Sequence, residues 1–386
     1  MSVAFKAGLE DVVAATSAIC TVDGQAGRLI YRGYDINDLA TNASYEEVVY
    51  LLWHGDLPNR AQLDELKAQF AAVDALPAPI RDLLPQLPRS ARPLDVLRSA
   101  VSVLGLHDPD AESNAPDANL RKSVRLTVQV PTIVAAWHRV RNGLDPLRPR
   151  ADLGLAANFL YQLFGQPPTD VAARTMDLVL VLHADHEFNA STFAARVVAG
   201  TEADLHAAIT AAIAALKGPK HGGANEDVIA MLQEIGSVEN AVPWTEAKLA
   251  WRATLSKEER QSPKARIPGF GHRVYKVNDP RSYHLRRMAQ QLTAEAGYGD
   301  WFEMAERVRS VVQRETSLPV NVDFYSALVY YSLGIPTDLN TSIFAVGRIS
   351  GWTAHVMEQL AHNRLIRPRA EYIGPLDRRF VPLDQR

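Results

Sequence analysis

Residues 205–226 read LHAAITAAIAALKGPKHGGANE, and this stretch decides the fold class. Apolar residues recur in it at three- and four-residue steps, at Leu205, Ile209, Ile213 and Leu216. This spacing places their side chains on one face of an α-helix. The Gly-Pro pair that follows does not support helical backbone geometry. The stretch therefore predicts an amphipathic helix that ends just before that pair and is followed by a polar loop.

The same helical spacing recurs along most of the chain. It is present at Leu63, Leu66, Phe70 and Val73, at Trp301, Met304, Val308 and Val311, and at Ile343, Val346 and Ile349. Residues 124–130 alternate between apolar and polar side chains as a β-strand does, but their neighbours have helical spacing, so we predict a helix there as well. Gly334 and Pro336 predict that another helix ends near Leu333. The predicted fold class is therefore all-α.

The predicted β structure lies near the N-terminus. Two short β-prone runs within residues 19–31 flank Asp23-Gly24 and Gly27, which predicts a small hairpin. Two proline-rich stretches, residues 76–93 and 145–149, are predicted to be loops between helices.

The composition excludes several classes of function. The 386 residues carry a formal net charge of −3, so the chain lacks the strong positive charge typical of nucleic-acid-binding proteins. Cys20 is the only cysteine, so no disulfide can form within the chain. No run approaches the roughly 18 apolar residues of a membrane helix, and the first residues lack the features of a secretory signal. We therefore expect a cytoplasmic protein that binds neither nucleic acid nor a membrane.

Three polar segments interrupt the helices and carry candidate catalytic groups. In the first, His221 follows the Gly-Pro pair and precedes a new run of helical spacing, so it is expected near a helix N-terminus. The positive end of the helix dipole disfavours a charged imidazolium, so this histidine should be neutral near pH 7. A neutral histidine can donate a hydrogen bond to an enol or enolate oxygen. The alternative is a loop histidine that caps backbone groups.

The other two segments carry His272 and Asp323. His272 lies among basic residues in the segment 267–281, which suits a ligand with carboxylates or phosphates, although a solvated basic loop has the same composition. Asp323 precedes a predicted helix at 324–333, where it is expected to be the N-cap residue.

A fourth candidate is the sequence HADHE at residues 183–187. His183 and His186 are one helical turn apart and, with Asp185, are the ligand types of a metal-dependent hydrolase. The spacing differs from that of His-Glu-x-x-His, and no third ligand is obvious, so we predict no metal site.

Taken together, these segments resemble the citrate synthase family. The resemblance is carried by GFGHRVYKVNDPR at residues 269–281, preceded by HADHE and GPKHGGANE and followed by NVDFYS. Further along lie AVGRISGWTAH at 345–355 and RPR at 367–369, and YRGYDI occurs early, at 31–36. These motifs occur in the family's order and extend over nearly the whole chain, which chance does not explain.

The resemblance implies a two-domain helical homodimer. The large domain would comprise residues 1–221 and 327–386, with the small N-terminal β-hairpin, and the small mobile domain residues 222–326. It also implies that no cofactor is bound, because the coenzyme A thioester is itself a substrate.

The resemblance also implies a role for each site residue. Asp323 would remove the α-proton of the acyl-CoA, His221 would stabilise the enol, and His272 would donate to the ketone oxygen of oxaloacetate. The residues implied to bind the oxaloacetate carboxylates are His186, Arg281 and Arg348, with Arg367 supplied by the partner subunit. Arg266 and Lys276 are the candidates for the CoA phosphates.

Several functions remain open on the sequence alone. The reaction implied is condensation of acetyl-CoA with oxaloacetate to citrate and CoA, a step of the tricarboxylic acid cycle. The alternative is 2-methylcitrate synthase, which uses propionyl-CoA, or an enzyme with both activities. Since the two acyl groups differ by one methylene, an apolar pocket separates them by only about 1–3 kcal/mol. The alternatives from other classes are the metal-dependent hydrolase and a helical scaffold protein.

Overall fold

The computed structural model describes residues 6–9, 12–222 and 224–386, and 61% of the chain is helical. The first eight α-helices are α1 (Ile36–Asn42), α2 (Tyr45–His54), α3 (Arg60–Ala71), α4 (Ala78–Leu83), α5 (Pro93–His107), α6 (Pro116–Arg141), α7 (Leu155–Phe164) and α8 (Asp170–His183). The others are α9 (Ala190–Ala199), α10 (Leu205–Leu216), α11 (Ala224–Ile235), α12 (Ala241–Ala253), α13 (Pro280–Glu295), α14 (Gly299–Glu315), α15 (Val322–Ser332) and α16 (Asn340–Ala361). The all-α prediction is confirmed.

The predicted hairpin is present, with one further strand. Strand β1 (Cys20–Asp23) pairs antiparallel with β2 (Arg28–Tyr31), and β2 pairs antiparallel with β3 (Tyr34–Asp35). The side chain of Asp23 accepts hydrogen bonds from the backbone N–H groups of Gln25 and Ala26, at 3.0 and 2.9 Å, and so closes the turn.

Helix α10 confirms the prediction for residues 205–216. Asp204 caps its N-terminus by accepting from the backbone N–H of Ala207, and the helix ends before Gly218. Its apolar residues Leu205, Ile209 and Ile213 are fully buried, because that face packs against α9, α5 and α16.

The strand-like residues 124–130 lie within α6, as predicted. This helix has 26 residues and continues through Pro131. Most residues of its central turns are buried on every side, since α5, α7 and α16 pack around it. A helix buried on all faces shows no single apolar stripe, so the apparent alternation carried no information about secondary structure.

One of the two predicted proline-rich loops is wrong. Residues 76–93 contain α4, a three-ten turn at Leu84–Gln86 and the first residue of α5. Prolines occupy the first turns of these elements, where a missing N–H costs nothing because the group would be unpaired anyway. Residues 145–149 do form a loop, as predicted.

The buried apolar side chains form one continuous cluster that includes residues of the hairpin, of α6 and of α15. The ends of α8 and α10, the start of α15 and the middle of α16 carry the polar residues considered below. None of the described helices combines the length and apolar character that crossing a bilayer would require.

Residues 362–386 contain no α-helix and expose many apolar side chains. Ile373 is 95% and Phe380 82% exposed, and the other exposed members of this set are Leu365, Tyr372, Leu376, Val381 and Leu383.

Candidate active site

Hydrogen bonds between distant segments bring the three catalytic candidates together. The backbone around Phe270 pairs with that around Val320, and the N–H of Asn321 donates to the carbonyl of Gly269 at 3.0 Å. This pairing ties the segment before His272 to the segment before Asp323. The segment after His221 is tied to the same place, because Asn225 at the start of α11 donates to the carboxylate of Asp323.

His221 lies in the turn between α10 and α11, as predicted. Its Nε2 lies 3.3 Å from the backbone N–H of Ser191 and 2.8 Å from the Ser191 hydroxyl. A backbone N–H is always a donor, so Nε2 accepts and the ring proton lies on Nδ1. Burial, and next the charge of Arg348, lowers the pKa of His221 to about 4. The histidine is therefore neutral at pH 7, through burial rather than through the helix dipole that the sequence suggested.

Asp323 is not the N-cap of α15, so that prediction is wrong. The cap is Asn321, whose side chain accepts from the N–H of Asp323 at 3.0 Å, and the helix is Val322–Ser332 rather than 324–333. Asn and Asp cap helices about equally well, so composition did not separate the two positions. Because Asn321 caps the helix, the carboxylate of Asp323 makes no capping hydrogen bond and can act as a base.

The carboxylate of Asp323 sits in an environment that disfavours its charge. Burial raises its pKa from 3.8 to about 6, although the positive charge of Arg281 acts in the opposite direction. Its Oδ1 accepts from Asn225 Nδ2 at 2.5 Å, and Asn225 Oδ1 in turn accepts from the Ser326 hydroxyl at 2.9 Å. The sequence reasoning missed Asn225, although it belongs to the same GPKHGGANE motif as His221.

His272 lies in the loop before α13, and backbone contacts fix its tautomer. Its Nδ1 accepts from the backbone N–H groups of Val274 and Tyr275, both at 3.0 Å, so the proton lies on Nε2. Burial, followed by the charge of Arg281, lowers the pKa of His272 to about 4. This neutral ring presents an N–H donor and lies 5.4 Å from the ring of His186.

Two buried guanidinium groups adjoin these histidines. Arg348 in α16 is fully buried, its Nε donates to the carbonyl of His183 at 2.6 Å, and its Nη1 and Nη2 have no hydrogen-bond partner within the described part of the chain. Arg281 at the start of α13 makes two bonds to the carboxylate of Asp279, at 2.9 and 2.7 Å. The Nε2 of His186 is also buried and lacks a partner among the residues described. Unpaired buried donors on a cation point to an anionic ligand.

The sequence is similar to those of citrate synthases over nearly its whole length. Residues 8–369 match the model of the family "Citrate synthase, C-terminal domain". Citrate synthase 2 of Bacillus subtilis is 51% identical over 98% of both chains. The 2-methylcitrate synthase of Mycobacterium tuberculosis is 41% identical over 98% of this chain and 92% of its own. The chain belongs to the citrate synthase family. It is therefore an enzyme of the citrate synthase type.

Solved structures of citrate synthases share the whole fold. That of Pyrobaculum aerophilum has a TM-score of 0.88 and 40% identity, over 98% of this chain and 95% of its own. That of Thermoplasma acidophilum, a ternary complex with carboxymethyl coenzyme A and oxaloacetate, has a TM-score of 0.88 and 32% identity, over 98% of both chains.

The remaining predicted residues of this citrate synthase family member lie at the surface. Arg266 and Lys276 are exposed, and the charge of Lys276 contributes to the lowered pKa of His272. Arg367 is exposed on the C-terminal segment. The side chain of Arg314 pairs with Glu315 and Glu246.

The residues of the metal-site alternative have other partners. The Nδ1 of His183 bonds to the carbonyl of Val179 in its own helix at 2.8 Å, and Asp185 Oδ2 lies 3.1 Å from Nε2 of His355. No group of three or more metal-ligand side chains is found within the described ranges. His355 was not singled out from the sequence, although the motif at 345–355 ends on it.

Proposed function

We propose that this protein condenses acetyl-CoA with oxaloacetate and hydrolyses the resulting thioester to citrate and CoA. The observation that carries the proposal is the combination of a carboxylate with a raised pKa, at Asp323, and two neutral histidines with opposite tautomers, at His221 and His272. One acceptor of protons and two donors of hydrogen bonds are what enolisation followed by carbon–carbon bond formation requires.

In the first step, Asp323 removes a proton from the methyl group of acetyl-CoA. The thioester oxygen gains negative charge as the enol forms, and the Nδ1–H of His221 donates to that oxygen. A neutral histidine stabilises this oxygen without placing a permanent cation beside the base. The pKa of Asp323, about 6, keeps it ionised at pH 7 while making it a stronger base than an ordinary aspartate.

In the second step, the enol carbon attacks the ketone carbon of oxaloacetate. The ketone oxygen gains negative charge as the bond forms and becomes a hydroxyl by taking the Nε2 proton of His272, to which it is hydrogen-bonded. His272 regains a proton from solvent, and Asp323 releases to solvent the one that it took from the methyl group, so the protons balance. The product is a thioester of citrate, and water then cleaves its carbon–sulfur bond and releases CoA as the thiol.

The oxaloacetate carboxylates are proposed to bind Arg348, Arg281 and His186, with Arg367 from the partner subunit. Arg348 supports this assignment most directly, because both of its Nη groups are buried and unpaired where the structure is described. The ternary complex named for the Thermoplasma acidophilum enzyme supports the pair of substrates.

The proposal extends to assembly and to CoA. We infer a homodimer in which the exposed apolar residues of 362–386 contact a second copy, which also places Arg367 at the partner's site. Residues 222–326 are proposed to move as a small domain against the rest, and Arg266 and Lys276 to contact the CoA phosphates. A cytoplasmic location and a role in the tricarboxylic acid cycle complete the proposal.

The second candidate is 2-methylcitrate synthase, because a relative at 41% identity bears that name. The chemistry is identical, and only the space beside the reacting carbon differs. The choice between them is a matter of substrate preference rather than of catalytic residues.

The test is free-thiol release from acetyl-CoA and from propionyl-CoA, each with and without oxaloacetate. Release that depends on oxaloacetate supports the synthase, and the ratio of the two kcat/KM values decides between citrate and 2-methylcitrate. Absence of release from both substrates would refute the proposal. Stoichiometric zinc in the purified, inactive protein would then favour the hydrolase.

A further inference from the structure

The turn of the N-terminal hairpin packs closely against the loop that carries His272. We call residues 24–27 the hairpin turn and residues 272–278 the His272 loop. The backbone N–H of Lys276 donates to the carbonyl of Gly24 at 2.8 Å. The two segments are about 250 residues apart in sequence, so only the tertiary fold brings them together.

The contact leaves no room for side chains on the hairpin turn. A Cβ atom on Gly24 would lie 2.3 Å from the carbonyl oxygen of Val274, and one on Gly27 would lie 2.7 Å from Cγ2 of Val277. Ordinary contacts of a Cβ atom begin at 3.4 Å. The backbone oxygen of Val274 cannot rotate away as a flexible side chain could, so the whole loop would have to move.

The His272 loop is also what sets the tautomer of His272. The same residue, Val274, whose carbonyl meets Gly24 donates its N–H to Nδ1 of His272, and Tyr275 donates a second N–H. Movement of this loop therefore changes both the position of the ring and the two bonds that place its proton on Nε2.

We propose that the hairpin turn is a positioning element for catalysis: it holds the His272 loop so that the Nε2–H of His272 points at the substrate carbonyl. This inference rests on the proposed function. In this proposal Gly24 and Gly27 act through His272, because their close contacts are with the loop that carries it.

The test is Gly24→Ala, which adds no backbone strain because Gly24 does not have a left-handed φ. The loop must shift by about 1 Å to restore ordinary contact, and a misplacement of that size costs about 100-fold in rate. We expect kcat for thiol release to fall by about 100-fold, and the KM for acetyl-CoA to change much less, since only the exposed Lys276 of this loop is proposed to contact CoA.

Two controls are available in the chain. Gln25→Ala changes an exposed side chain of the same turn, and Gly299→Ala adds a Cβ with no heavy atom within 4 Å. Both should retain the kcat of the wild type.

A double-mutant cycle separates positioning from general damage. In a His272→Ala background, Gly24→Ala should lower kcat no further, because the group that it displaces is already gone. An equal loss in both backgrounds, or full activity of Gly24→Ala, would overturn the inference. If Gly24→Ala does not fold, Val277→Ala, which loosens the contact with Gly27, replaces it and should give a smaller loss of the same kind.

A readout independent of activity is the ¹⁵N spectrum of histidine-labelled protein. His272→Ala identifies the signals of His272, which should show Nε2 protonated in the wild type and a different ratio of tautomers in Gly24→Ala. If the wild type releases no thiol, the proposed function fails, and this spectrum alone decides whether the hairpin turn positions His272. Unchanged His272 signals would overturn it.

Discussion

The raised pKa of Asp323 predicts that the proposed catalytic base destabilises the folded state. The carboxylate has an ordinary pKa of 3.8 in the unfolded chain and about 6 in the folded protein. Between these values the folded state holds one proton more than the unfolded state, so stability falls as pH rises from about 3.8 to about 6. Above that range the full cost of burying the charge is present, and below it there is none.

Asp323→Asn removes this charge and keeps the shape of the side chain. Each unit of pKa corresponds to 1.36 kcal/mol, and the carboxylate is partly exposed, so we expect the variant to be more stable by about 1–3 kcal/mol at pH 7.5. At pH 3.5 the difference should vanish. Thiol release should fall by several orders of magnitude at every pH, because the amide cannot accept the proton.

The assay is urea unfolding of wild type and variant at both pH values, with thiol release measured on the same samples. Asp64→Asn, at an exposed position of α3, is the matched control and should show no such gain. The reasoning is refuted if Asp323→Asn is no more stable than the wild type at pH 7.5, or if it keeps a substantial fraction of the activity.

Three further predictions follow from the same geometry. Asn225→Ala should raise the pKa of Asp323 further, because it removes a hydrogen bond that favours the ionised carboxylate. The acid limb of the profile of kcat against pH should therefore move to higher pH, and an unmoved limb would contradict this role of Asn225. Arg348→Lys should raise the KM for oxaloacetate by more than about tenfold with little change in the KM for acetyl-CoA, since lysine lacks the planar pair of donors, and steady-state kinetics would check it. Removal of residues 362–386 should yield a monomer in analytical ultracentrifugation if their exposed apolar side chains contact a second copy, and a stable dimer of the truncated chain would argue against that contact.

A neutral histidine pair beside two buried guanidinium groups explains the electrostatics of the site. Burial disfavours a charge on His221 and His272, and the arginines add to this by repulsion, so both rings remain donors of hydrogen bonds at pH 7. The positive charge proposed to bind the oxaloacetate carboxylates thus lies on arginine, which does not lose its proton. Binding and proton transfer are assigned to different side chains.

A second buried network lies next to His186. Asp185, next to His186, bonds to His355 at 3.1 Å, and Nδ1 of His355 lies 3.1 Å from a guanidinium nitrogen of Arg196. Since arginine is only a donor, Nδ1 accepts and the proton of His355 lies between it and Asp185. Close packing adds to this restraint, because a Cβ atom on Gly351 would lie 2.2 Å from the carbonyl oxygen of Ala184.

The sequence predicted most of the helices and the family. The spacing of Leu205, Ile209 and Ile213 depends only on the period of a helix, so it identified α10 correctly. The order of the motifs identified the family, which the matches of the whole chain confirm. Helical spacing and the order of motifs are properties of the sequence alone, so they can be recognised without knowing which segments contact each other in the fold.

Only the tertiary structure decided protonation, tautomer and pairing. The Ser191 N–H that sets the ring proton of His221, the Asn321 side chain that takes the capping role from Asp323, and the unpaired Nη groups of Arg348 are not visible in any local pattern. Contacts between segments far apart in sequence, together with burial, determine them. The sequence therefore determined which groups are present, while the fold determined which of them carry a proton and where each one points.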